Sequence, residues 1–153
     1  MNAQESPNAQ EAMSPTGLVY IDANVFLNYI LYDPRSVPQA LVAKQFLENV
    51  KDRRINACTS LLTWDEVVWV VRRELTVEDA RRQGMEFLDF PWLAFLTVTM
   101  DVIKKAQGLI EASSIKPRDA IHIASAMIHG ASEFVTFDED IVNNSFSPCR
   151  ILK

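Results

Sequence analysis

Short apolar runs rich in β-branched residues alternate along this chain with longer stretches whose apolar positions recur every three or four residues. Leu18-Val-Tyr-Ile21 reads as a strand, and Val25 to Leu31 continues from it as an apolar helical pattern. Pro34 and Pro38 bracket a loop, after which residues 42, 46, 47 and 50 mark one face of a helix between Gln39 and Val50. Ile55 to Cys58 is a short second strand. Ser60 can cap a helix running through Leu62, Val67, Val70 and Val71, and Thr76-Val-Glu-Asp79 is a capping-box pattern that opens another helix ending before Pro91. Phe95 to Val98 is a third strand, and Val102, Ile103, Ala106, Leu109 and Ile110 outline a helical face. Pro117 suits the first position of a helix from Arg118 to His129, with Gly130 as its stop. Phe134 to Thr136 is a fourth strand and Arg150 to Leu152 a fifth. Strands alternating with helices of this length predict a three-layer α/β/α domain around a mainly parallel sheet of four to five strands.

The 16 residues ahead of this pattern, rich in Asn, Gln, Ser and Pro, lack the basic and apolar regions of a signal peptide. They read as a disordered tail, residues 1–16, ahead of one domain, residues 17–153; Met13 offers an alternative start. Length supports this division, because 153 residues with 48% hydrophobic content suffice for a core without disulfide or structural metal. No uncharged apolar run is long enough for a membrane span. Cys58 and Cys149 each fall in a strand-like run without metal-ligand spacing, which suits buried free thiols and a reducing, cytoplasmic setting.

Only four glycines occur, at 17, 84, 108 and 130, and none forms a phosphate-cradling loop. The net charge of −5 argues against nucleic-acid binding by bulk charge. Where the acids fall changes that picture. In a parallel α/β sheet, ligands bind at the carboxyl ends of the strands. Asp22 ends the first strand, Glu66 lies early in the helix after the second, Asp119 sits in the first turn behind Pro117, and Asp138 follows the fourth strand. Four carboxylates converging on one edge repel one another unless cations sit between them. Taken singly, Asp22 could cap the following helix, Glu66 could be a solvated helix residue, Asp119 could serve the helix dipole, and Asp138 to Asp140 could be an acidic turn. Oxygen donors without a matching His or Cys set favour Mg²⁺ or Mn²⁺ over zinc, and metal-assisted phosphodiester hydrolysis is the natural chemistry of such a site.

The segments VYIDANVFLNYI, SLLTWDEVV, KPRDAIHIASAMIHG and EFVTFDEDI resemble, in order and spacing, the acidic motifs of PIN domains. That family comprises metal-dependent ribonucleases and includes the toxins of VapBC toxin–antitoxin pairs. The resemblance spans about Leu18 to Leu152. It implies a PIN-like fold, Mg²⁺ or Mn²⁺, an RNA substrate, often a homodimer and, for a toxin, an antitoxin partner. Asp22, Glu66 and Asp119 then correspond to the core metal ligands, with Asp138 completing the site, and all four to the catalytic set. Asn24 and Thr136 would orient the carboxylates, and Asp140 could contribute beside them. Lys116 and Arg118 flank the entrance and are candidates for holding substrate phosphate.

Two features stand outside this set. His122, one turn after Asp119, reads as a packing or hydrogen-bond partner before a catalytic group. Trp64, Val68, Trp69 and Val71 read mainly as core, with a subunit or antitoxin contact as the alternative. A housekeeping RNA-maturation nuclease would use the same acids, and a non-cleaving protein- or RNA-binding module would retain the fold. A phosphoaspartate enzyme is disfavoured, since its D-x-D would need an acid where Asn24 stands.

Overall fold

A computed structural model of the chain describes residues 17–143 and 149–153, with the side chains of residues 149–151 outside that description. The expected tail, residues 1–16, and the Cys149 thiol therefore lie outside the described residues. The element order is β1 (Val19–Ile21), α1 (Ala23–Leu31), α2 (Pro38–Lys51), β2 (Ala57–Ser60), α3 (Leu62–Glu74), α4 (Val77–Leu88), β3 (Leu93–Leu96), α5 (Met100–Ala112), α6 (Pro117–Ile128), β4 (Glu133–Thr136), α7 (Glu139–Asn143) and β5 (Cys149–Ile151). The five strands form one parallel sheet in the order β3-β2-β1-β4-β5.

Alternation along each strand separates two cores. Ile21 and Val135 face one side and pack with Val25, Phe26, Leu47, Val67 and Phe87 from α1 to α4. Their neighbours Tyr20 and Phe134 face the other, with Val102, Leu109, Ile123 and Ile141 from α5 to α7. Tyr20 and Phe134 are register partners across β1 and β4, and their rings stack with centroids 5.1 Å apart. Each such fully buried side chain contributes about 1.5–3 kcal/mol relative to exposure. The expected three layers are thus present.

Helix ends follow the chemistry read from the chain. Thr76 Oγ1 accepts from the Asp79 amide at 3.0 Å and donates to its carboxylate at 2.6 Å, Thr99 caps α5, and Pro117 opens α6. Gly130 leaves α6 at φ +71°, a backbone angle that costs glycine little. Strands β2 and β3 differ from expectation, β2 beginning two residues later and β3 two residues earlier. α7 occupies what read as an acidic turn. Among the described residues, no helix is long and apolar enough to cross a membrane. Cys58 is buried in β2, and burial pushes its thiol up to about 12, so it packs as an inert apolar group.

The order of the strands fixes where a ligand can sit. β1 has β2 on one side and β4 on the other, so the connections leaving β1 and β4 diverge at their carboxyl ends and open a crevice there. Asp22 and Asp138 stand at that crevice.

Candidate active site

Asp22 follows β1 directly and is 5% exposed. Its Oδ1 accepts from the Ala23 amide at 2.8 Å, so it does cap α1 as well as facing the crevice. Its Oδ2 accepts from the Thr136 hydroxyl at 2.7 Å. Thr136, buried at the end of β4, is a node: its Oγ1 also accepts from Asn24 Nδ2 and from the Asp138 amide, both at 2.9 Å. Asn24 Oδ1 accepts in turn from the Phe137 amide at 3.1 Å, and Asp138 Oδ1 accepts from the Asp140 amide at 2.8 Å. One hydroxyl thereby fixes two acidic segments and the asparagine between them. On the β2 side, Thr59 donates to the Ile21 carbonyl at 2.8 Å and pairs with Thr63 at 2.6 Å, seating the start of α3 against the end of β1.

Glu66 projects from α3 into the same crevice and is held from behind. His122 Nε2 lies 2.7 Å from Glu66 Oε2, and since a carboxylate only accepts, the nitrogen donates. His122 Nδ1 lies 2.7 Å from the Tyr20 hydroxyl, which accepts from the Ser60 amide at 3.0 Å. His122 is 1% exposed. Burial opposes its protonation, but the hydrogen bond to Glu66 and the nearby Asp22 and Asp119 favour it, and the net direction is upward.

Asp22, Glu66, Asp119 and Asp138 line one cavity of about 210 Å³, together with Asn24 and Arg118. Arg118 also approaches Asp65 at 3.7 Å across the surface. Asp119 forms part of a second, adjoining cavity of about 260 Å³ with Lys116 and Asp140. The crevice thus brings together the four acids and Arg118, whereas Lys116 and Asp140 belong to the neighbouring lobe.

Charge in this space is unbalanced. Burial, with Asp22 and then Asp138 nearby, raises the Asp119 carboxyl to about 6, and burial raises Asp22 despite His122 and Thr136. Ligand atoms of Asp22, Glu66 and His122 come within 4.8 Å of one another. Both nitrogens of His122 are already engaged, so the donors facing the cavity are carboxylate oxygens. That donor set fits a hard divalent cation.

Asp119 also carries a test in the metal-free protein. A carboxyl raised from 3.8 to about 6 contributes stability that is present below pH 3.8 and lost as pH rises through 6. Discounted for its partial exposure, the loss is about 1 kcal/mol. Asp119→Asn should abolish it, so that in EDTA the variant is the more stable protein at pH 7.5 but not at pH 4. Denaturant unfolding of both proteins at the two pH values measures this.

Residues 19–146 match the profile of the PIN domain, most of the described chain. The chain belongs to the PIN domain family. PIN domains are nucleases, and an acidic cluster in the crevice suits that chemistry. No curated protein sequence matches the chain. Among solved structures, a chain of a toxin–antitoxin complex from Klebsiella pneumoniae is 20% identical with a TM-score of 0.62, the match covering 86% of this chain and 95% of that one. VapC20 of Mycobacterium tuberculosis, a sarcin-ricin loop cleaving toxin, is 15% identical with a TM-score of 0.68, covering 84% and 95%. FitAcB from Neisseria gonorrhoeae is 14% identical with a TM-score of 0.64, covering 88% and 96%. At these identities the likeness is one of fold.

Two features of this PIN domain escape sequence reading. Tyr20 looks like an ordinary strand residue, yet its hydroxyl joins Ser60 to His122. His122 packs, as expected, but its ring also carries Glu66. The available signal was its place three residues after Asp119, on the same helix face. The tryptophans of α3 require correction: Val71 is buried, but Trp64 and Trp69 are exposed, because the core stripe of α3 is Thr63, Val67 and Val71.

Proposed function

We propose that this PIN domain is a divalent-metal-dependent endoribonuclease and the toxin of a two-protein toxin–antitoxin module. The observation that carries the reading is the set of four carboxylates around one cavity, with one buried hydroxyl tied to the Asp22 carboxylate and to the backbone amide of Asp138. Asp22, Glu66, Asp119 and Asp138 would hold Mg²⁺ or Mn²⁺, which supplies Lewis acidity toward a phosphate and a nucleophile from water at neutral pH. The remaining work belongs to the chain. Thr136 and Asn24 hold the Asp22 carboxylate beside the backbone that carries Asp138, and His122 keeps Glu66 facing the cavity. Arg118 at the mouth and Lys116 in the adjoining lobe supply positive charge on either side of Asp119, where a strand's successive phosphates would lie. Such an enzyme acts on cytoplasmic RNA.

The toxin assignment is supported by the fold's likeness to chains of toxin–antitoxin complexes, including VapBC2 from Rickettsia felis bound to a promoter DNA fragment. An antitoxin would silence the enzyme by covering the crevice, most simply with a basic side chain among the carboxylates, and a homodimer of toxin chains is the expected core of the complex. Purified protein should cleave RNA with Mg²⁺ or Mn²⁺ and lose at least about a hundredfold in rate on chelation, with recovery when the ion is returned. Cleavage that persists in EDTA overturns the metal-dependent mechanism. Retention of RNA binding without cleavage under any ion overturns the enzyme.

A further inference from the structure

We propose that Trp69 is a stacking platform for an unpaired nucleobase beside the scissile phosphate. This inference rests on the ribonuclease reading and adds a recognition element to it. Trp69 lies three residues after Glu66 on α3, so both project from adjoining parts of one helix face. It lines the same cavity as the four carboxylates, beside Leu27 and Val70. The residue is 50% exposed, a large aromatic surface left in water at the mouth of an acidic site.

The ring is also held. The Arg73 guanidinium sits over it with its carbon 4.5 Å from the centroid, and Arg73 is itself tied to Glu74 at 2.7 Å. A ring restrained on one side by a cation loses little freedom when a base covers another part of it. The other two tryptophans are placed differently. Trp64 packs toward Gly84 of α4, where a β-carbon would come within 3.3 Å of its Nε1. Trp92 precedes β3, at the opposite end of the sheet from the crevice, and carries Arg53 over its ring.

Electrostatics explains why such a platform is useful here. A cavity lined by four carboxylates gives a polyanion little affinity through charge, even with a cation in place, and a protein of net charge −5 adds no long-range attraction. Stacking on an aromatic face does not depend on that balance and tolerates any base. It requires a base free of its pair, so the substrate class is single-stranded RNA or an unpaired loop. With a base on Trp69, the adjoining phosphate falls over the carboxylates beside Arg118.

The test measures binding of a short fluorescein-labelled single-stranded RNA by anisotropy, in the Asp119→Asn background so that the RNA stays intact. Trp69→Ala should weaken binding about tenfold, Trp69→Phe should restore most of it, and Trp69→Leu should not. An RNA carrying abasic residues at every position should bind the parent and the Trp69→Ala protein alike. Equal affinity of parent and Trp69→Ala for the intact RNA, or rescue by Leu equal to that by Phe, overturns the stacking role. A change of sedimentation in Trp69→Ala with unchanged RNA affinity makes the ring a subunit contact and also overturns it. If the parent binds no RNA, the ribonuclease reading itself falls, a result distinct from any effect confined to position 69.

Discussion

Asp22→Asn is expected to lower kcat for RNA cleavage by at least about a thousandfold, a barrier increase of roughly 4 kcal/mol, because it removes charge from the centre of the proposed cation site. The fold should survive. Asp22 accepts from the Ala23 amide through one oxygen and from Thr136 through the other, so an amide at this place brings an NH₂ group against one of two donors. That costs about 1 kcal/mol. Removal of a buried negative charge near Glu66 acts in the opposite direction. Unfolding free energy in EDTA should therefore change by no more than about 1 kcal/mol, and circular dichroism should be unaltered. Retained cleavage would exclude Asp22 from the chemistry, whereas loss of activity through unfolding would leave a clear mark in the denaturation curve.

Thr136→Val is expected to damage stability and activity together. Valine fills the same space but leaves Asp22 Oδ2, Asn24 Nδ2 and the Asp138 amide without the hydroxyl that each contacts. Unsatisfied buried groups of this kind cost about 1–3 kcal/mol each, and some recover a partner from water, so a loss of about 2–4 kcal/mol is expected. With Asp22 and Asp138 no longer held in register, affinity for Mn²⁺ and kcat/KM should each fall about 10- to 100-fold. Thr136→Ser keeps the hydroxyl and should retain most of both. Calorimetric titration with Mn²⁺ separates this from a simple loss of packing, since a purely structural defect would leave the affinity of the folded fraction unchanged.

The layers and acid positions were legible in the sequence because they rest on long periodic helices and on residues at element ends. Strand β2 was misplaced for a physical reason. Its residues Ala57 to Ser60 are all buried, yet two are hydroxylic, since Thr59 and Ser60 hydrogen-bond to Ile21 and to the start of α3. A hydrophobic pattern cannot register a strand whose inward groups are chosen for hydrogen bonding. β3 began earlier than its most β-prone residues suggested, following Trp92, whose φ is +60°. α7 was hidden because Glu139 and Asp140 read equally well as a turn or as a first helical turn. Within the site, side chains reaching forward from strand ends were foreseeable. The support behind Glu66 was not, because Tyr20, Ser60, Glu66 and His122 come from four segments that only the folded sheet brings together.

The separation of these segments also governs when the protein can act. Asp22 and Thr136, the residues that share the central hydrogen bond, are 114 positions apart, and β4 must pair with β1 before they meet. A growing or truncated chain that ends before β4 has β1 to β3 and three of the acids, but no Thr136 to hold Asp22 and no Asp138. Such a chain cannot assemble the four-carboxylate crevice. The fold therefore works as a timer: the four-acid crevice, and with it any activity the crevice supports, arrives only with the last strands made.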